Sequence, residues 1–135
     1  MIGCKAAGSS DVVGTWTLTA QSRQGLPIDF RNALTRIVVS ADESFVASEL
    51  PEELYPLPPY EMKARMRLDS GSGLWRIVSS DGAQRLELEF QTLAGEHKDG
   101  RYSFPLTISK GWSTVSLSYF LGDPDQAQRI DLERK

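Results

Sequence analysis

Gly73-Leu74-Trp75-Arg76-Ile77-Val78, followed by Ser80-Asp81-Gly82 and then Arg85-Leu86-Glu87-Leu88-Glu89-Phe90, is the stretch that decides the fold class of this chain. Apolar and polar residues alternate through both runs, the period of a strand with one buried face. Between them, Asp81-Gly82 predicts a tight hairpin, because the primed turns need positive φ at their central residues. The opening of the first run, Gly73-Leu74-Trp75, has a counterpart in Gly14-Thr15-Trp16, again at the head of an alternating stretch. This recurrence reads as shared barrel geometry, with a tryptophan closing part of the interior at each site, rather than as a repeat array.

Working outward, Val13 to Thr19 reads as a strand with Trp16 and Leu18 on one face. Leu34 to Ser40 and Ser44 to Ser48 form a hairpin through Ala41-Asp42-Glu43. Downstream, Tyr102 to Ser109, Thr114 to Leu121 and Gln128 to Glu133 are separated by Lys110-Gly111-Trp112-Ser113 and Gly122-Asp123-Pro124-Asp125, both rich in turn formers. The prediction is an all-β protein of about eight antiparallel strands joined in order, an up-and-down meander. Closure into a barrel is favoured because it removes exposed edges, although a two-sheet sandwich fits the same string. Two connections are longer. Gln21 to Ala33 predicts a compact loop or one helical turn; Pro51 to Asp69 carries four prolines and then Tyr60 to Met66, helix formers sufficient for about two turns.

The inward-facing set is Trp16, Leu18, Ile37, Val39, Phe45, Trp75, Ile77, Leu86, Leu88, Phe90, Leu106, Ile108, Val115, Leu117, Tyr119, Leu121, Ile130 and Leu132. Side chains of this size fill an eight-stranded barrel, so a shallow mouth is expected instead of a large empty cup.

At 135 residues the chain is the size of one domain. Residues 1–10 read as a lipobox remnant and small, polar tether, and 11–135 as the barrel. Fifteen Lys and Arg against 18 Asp and Glu leave a net charge of -3 and no basic footprint for nucleic acid. No apolar run reaches the ~20 residues a membrane-spanning helix needs. One Cys excludes an intramolecular disulfide and a Cys-rich zinc site, and one His cannot assemble a His cluster.

The remaining polar groups favour structural roles. Asp123-Pro124-Asp125 reads as a turn, lacking the other positions of a calcium loop. Glu87 and Glu89 share the strand face opposite Leu86 and Leu88, a solvated face instead of a glycosidase pair. His97 lies in Gly95-Glu96-His97-Lys98-Asp99-Gly100, a hydrophilic turn, and nearby serines have no nucleophile-elbow context. The expectation is a non-enzymatic protein without metal or cofactor.

Gly14-x-Trp16 on the first strand of such a meander resembles the lipocalin and wider calycin group. The resemblance implies that Gly14 lets the strand begin beside a crossing segment, that Trp16 plugs one end, and that an Arg of the closing strand packs over it. Arg134, sharing parity with Ile130 and Leu132, is the matching residue. The segments Glu43 to Pro51 and Tyr119 to Asp125 are together similar to small bacterial proteins of unknown function that are often predicted lipoproteins. Met1-Ile2-Gly3-Cys4 looks like the end of a lipobox, which implies acylation of Cys4, a precursor extending upstream of Met1 and a location at the bacterial envelope; without such a leader the location is cytoplasmic.

The function expected is recognition of a protein partner or a small apolar ligand, with membrane contact through N-terminal acylation alone. Leu54, Tyr55, Leu57, Tyr60, Met62 and Met66 are the candidate binding residues, apolar and aromatic anchors on a proline-stiffened segment. The alternative is an inhibitor or immunity-type protein that blocks an enzyme through this loop. A hydrolase ranks third, for want of a nucleophile and base that can be paired.

Overall fold

The computed structural model describes residues 7–26, 30–54, 65–93, 96–121 and 128–135, with the backbone alone for 52–54, 65–67, 93, 96–102, 121 and 128. Eight strands, β1 (Gly14–Leu18), β2 (Arg36–Val39), β3 (Ser44–Leu54), β4 (Arg65–Ser80), β5 (Ala83–Leu93), β6 (Glu96–Lys110), β7 (Val115–Leu121) and β8 (Gln128–Arg134), pair in sequence order. β8 returns to β1 through Trp16↔Arg134 to Leu18↔Leu132, closing an antiparallel barrel. The sandwich alternative is thereby excluded.

The hairpin that decided the fold is in the register its pattern implies, Ile77↔Leu86 and Trp75↔Leu88, around a two-residue turn. Asp81 and Gly82 have φ of 52° and 77°, the positive pair a primed turn requires. Alternation then places Trp16, Ile37, Phe45, Leu86, Leu88, Phe90, Leu106, Leu117, Ile130 and Leu132 in one buried cluster. Each large apolar side chain so buried contributes about 1.5–3 kcal/mol. The rings of Phe45 and Phe90 meet edge to face at 4.9 Å.

Several bounds differ from those expected. β4 starts at Arg65 instead of Gly73, and β3 runs on to Leu54, so the long connection shrinks to residues 55–64. Arg65 and Met66, expected in a helix, pair as strand with Leu54 and Glu53. A bulge between Ala47 and Leu50, with Glu49 at φ 47°, carries β3 past the point where its alternation breaks. The bulge is pinned on both sides: Thr35 Oγ1 donates to the Glu49 carbonyl at 2.6 Å, and the Glu49 amide donates to Ser70 Oγ at 3.0 Å. Glu96–Gly100, read as a turn, is the beginning of β6, where His97 pairs with Thr92. At Gly73 a Cβ would run into the Glu89 carbonyl oxygen, so the neighbouring bulge between β4 and β5 requires glycine.

β6 pairs with β7 only from Thr107↔Ser118 to Lys110↔Val115. The next position on that edge of β6 is Pro105. It pairs with Glu87 of β5 and has no amide hydrogen to donate. The ladder stops where the donor is missing. β3 to β6, of 11, 16, 11 and 15 residues, are longer than β1, β2, β7 and β8, of 5, 4, 7 and 7, which gives the barrel one tall wall.

Candidate functional site: the two ends of the barrel

The meander puts the turns 40–43, 81–82 and 111–114 at one end and the connections 19–35, 55–64, 94–95 and 122–127 at the other. The turn end is closed by the chain's own N-terminal segment. Ala7 donates its amide to Gln84 Oε1 at 2.7 Å and accepts from Gln84 Nε2 at 3.2 Å; Gln84 is near the start of β5, across the barrel from β1. From there a helical turn, α1 (Ser9–Val12), crosses beneath the core and buries Val12. Among the described residues, packing against the barrel is present from Ala7 onward.

Trp16 is fully buried and donates its indole N–H to the Val12 carbonyl at 2.8 Å. Arg134 lies over its ring, 5.6 Å from the centroid, and its Nη1 donates to the carbonyls of Ser10, Asp11 and Val13 at 2.9–3.2 Å. Gly14 has φ 144°, and a Cβ there would sit 2.8 Å from Arg134 Cδ. Trp75, on the other side, is buried and donates its indole N–H to the Ser40 carbonyl at 2.8 Å. Asp11 accepts from the Gly8 amide at 2.8 Å and from Lys110 Nζ at 3.0 Å, and these bonds, the Gly8 one foremost, hold its carboxyl below the usual carboxylate range.

At the opposite end, helix α2 (Ala20–Gly25) begins with Thr19 Oγ1 accepting from the Ser22 amide, and the chain returns Leu26 into the core with Phe30 packed against it. Ser22 Oγ accepts from the Asp131 amide at 2.8 Å, fastening this cover to β8. Between the two ends the lumen is spanned. Tyr119 of β7 donates its hydroxyl to the Pro51 carbonyl of β3 at 2.9 Å, and its ring meets Phe104 edge to face at 5.0 Å. Strands three and seven of eight stand opposite one another, so this contact crosses the barrel.

Of the candidate binding residues, Tyr55, Leu57, Tyr60 and Met62 lie outside the described residues, as do the side chains of Leu54 and Met66, whose backbones end β3 and begin β4. Cys4 and Asp123-Pro124-Asp125 also lie outside them, and so does the side chain of His97. Glu87 is on the outer face, paired with Arg76 at 3.1 Å. Among the described residues no group of three His, Cys, Asp or Glu could hold a metal ion, and no helix is long and apolar enough to cross a membrane. Asp69, buried and engaged in a polar interaction, is the one buried carboxylate among them. A groove of about 600 Å³ runs outside the barrel along β7 and β8, lined by Thr19, Gln21, Thr114, Ser116, Asp131 and Glu133 among others.

Sequence reasoning missed three features here: the Tyr119–Pro51 bar, the grip of Gln84 on Ala7, and the exposure of Trp112, which is 88% accessible at the tip of the β6–β7 turn. The first two join residues 68 and 77 positions apart and leave no local trace. The third had a signal, a tryptophan between Gly111 and Ser113 outside any alternating run. No protein-family model matches the chain, and no curated protein is similar enough in sequence to count as a relative.

Proposed function

We propose that this protein is a non-enzymatic binding module of the bacterial envelope, anchored through an acylated Cys4, that recognises a protein partner or a small apolar ligand with the segment Leu50 to Met66. The supporting observation is the contact of Tyr119 with Pro51 through a filled interior. A bar across the lumen at this level narrows the room for a bulky lipid, which favours recognition at the rim. Pro51, buried and held by Tyr119, is the root of the paired ends of β3 and β4, and Tyr55, Leu57, Tyr60 and Met62 follow in the sequence between Leu54 and Arg65. Anchors on a ribbon rooted in the core lose less conformational entropy on binding than anchors on a free loop.

The test is substitution of Tyr55 and Tyr60 by Ser, with melting temperature and capture of envelope proteins measured side by side. An interface anchor is lost without loss of fold. Unchanged melting with lost capture supports the reading. Lost stability with unchanged capture assigns the segment to packing. Capture of an enzyme whose activity falls on binding identifies the inhibitor variant of the same reading.

A further inference from the structure

We propose that Trp112 is a membrane contact: with Cys4 acylated, the closed end of the barrel lies against the bilayer, the β6–β7 turn is its lowest point, and the indole sits among the lipid headgroups. This rests on the lipid-anchored reading above and adds an orientation and a second point of attachment.

The geometry follows from where the chain enters the barrel. Ala7 is fixed at the closed end by both of its bonds to Gln84. Cys4 is three residues earlier, a reach of at most about 11 Å even when fully extended. A lipid on Cys4 therefore brings this end, and no other, to the surface. The β6–β7 turn stands beside the incoming segment, since Lys110 at its base binds Asp11 of α1 at 3.0 Å. Its tip is Gly111-Trp112-Ser113-Thr114, exposed and without charge. The other two turns of that end expose Asp42, Glu43 and Asp81, which favour water and disfavour an anionic surface. The end is thus polarised, with the acidic turns lifted and the tryptophan turn lowered.

Trp112 is 88% exposed while Trp16 and Trp75 are 0% and 7% exposed. Tryptophan concentrates at the membrane–water interface because its ring is apolar and its N–H is best kept wet.

The burial difference makes the experiment selective, because aqueous iodide reaches Trp112 alone. The full chain is coupled through Cys4, its one cysteine, to a maleimide phospholipid in phosphatidylcholine vesicles with or without brominated acyl chains. The expected result is a blue shift of the exposed-tryptophan emission, a severalfold fall in iodide quenching and new quenching by the brominated chains. All three are absent in Trp112→Ser, which melts like the wild type. Iodide quenching equal in coupled and free protein overturns the proposal. So does protection that appears without vesicles and grows with protein concentration, which assigns Trp112 to contact with a second copy. The coupling supplies the lipid chemically, so this outcome is independent of natural acylation. That is read from the mass of the Cys4 peptide after expression of the full gene, and an unmodified Cys4 in the soluble fraction rejects the anchored reading itself.

Discussion

The hydroxyl of Tyr119 donates to the carbonyl of Pro51 across the width of the barrel, 2.9 Å from oxygen to oxygen. Both residues are buried, so the bond replaces water that neither group could otherwise keep. It joins opposite walls of the closed barrel. Tyr119→Phe keeps the ring against Phe104 but leaves the Pro51 carbonyl without this donor. The expected cost is about 1–3 kcal/mol in urea unfolding, the penalty for a buried acceptor stripped of its partner. A change smaller than the error of that measurement would mean that water reaches the lumen and that the interior is more open than its packing indicates.

The tryptophans of the closed end form the second relationship. Trp16 and Trp75 stand on β1 and β4, each buried and each donating its indole N–H to a backbone carbonyl at that end. Trp16→Ala and Trp75→Ala are each expected to cost about 3–5 kcal/mol, a large share of the stability of a domain this size. Denaturant midpoints measure this directly. An unchanged midpoint in both variants would place these residues outside the core and contradict the barrel packing.

What was legible in the sequence was whatever repeats every second residue. The Asp81-Gly82 hairpin, the inward set and the order of eight strands all rest on period-two alternation and on turn chemistry within a few positions. Arg134 over Trp16 was legible too, but through resemblance and strand parity together. Strand lengths were lost where alternation lapses without pairing lapsing. Asp69 and Gly71 interrupt β4, the Glu49 bulge interrupts β3, and Gly95 to Gly100 carries the composition of a turn although β6 begins at Glu96. The segment Ala7 to Ser10 reads as a tether because its residues are small and polar; its order comes from Gln84 and Arg134, remote in sequence. Of the candidate site, composition marked the proline-rich segment, while its rooting through Pro51 depended on a tyrosine 68 residues away.

Glu43 ends the β2–β3 turn at φ 73°, a conformation that costs a residue bearing a Cβ about 1–2 kcal/mol. Its amide donates to the Ser40 carbonyl and its own carbonyl accepts from the Trp75 amide, so the backbone geometry is fixed whatever the side chain. The side chain itself is exposed. Glu43→Gly is therefore expected to raise stability, by about 0.5–1 kcal/mol after the greater freedom of glycine in the unfolded chain is deducted. Chemical denaturation reads the change, and a loss of stability would show that the carboxylate contributes more than the strain removes.

Acid should loosen the closed end first. The Asp11 carboxylate accepts from the Gly8 amide and from Lys110, and both bonds lower its pKa in the folded chain. A carboxyl whose folded pKa lies below its unfolded value contributes stability that is fully present above the unfolded value, about 3.9, and lost as pH falls through the folded one. The Asp42 carboxyl, held down by the hydroxyl and amide of Ser44, works in the same direction at the β2–β3 turn. Comparing wild type with Asp11→Asn separates the two, because the Asp42 contribution is common to both. The stability difference between them should be constant from neutral pH down to the carboxylate range and shrink below it. The protection of the Ala7 amide against hydrogen exchange, taken relative to its intrinsic rate at each pH, should fall in the wild type toward that of the variant. A difference that persists undiminished into strong acid would mean that the Asp11 charge plays no part in fastening the N-terminal segment beneath the barrel.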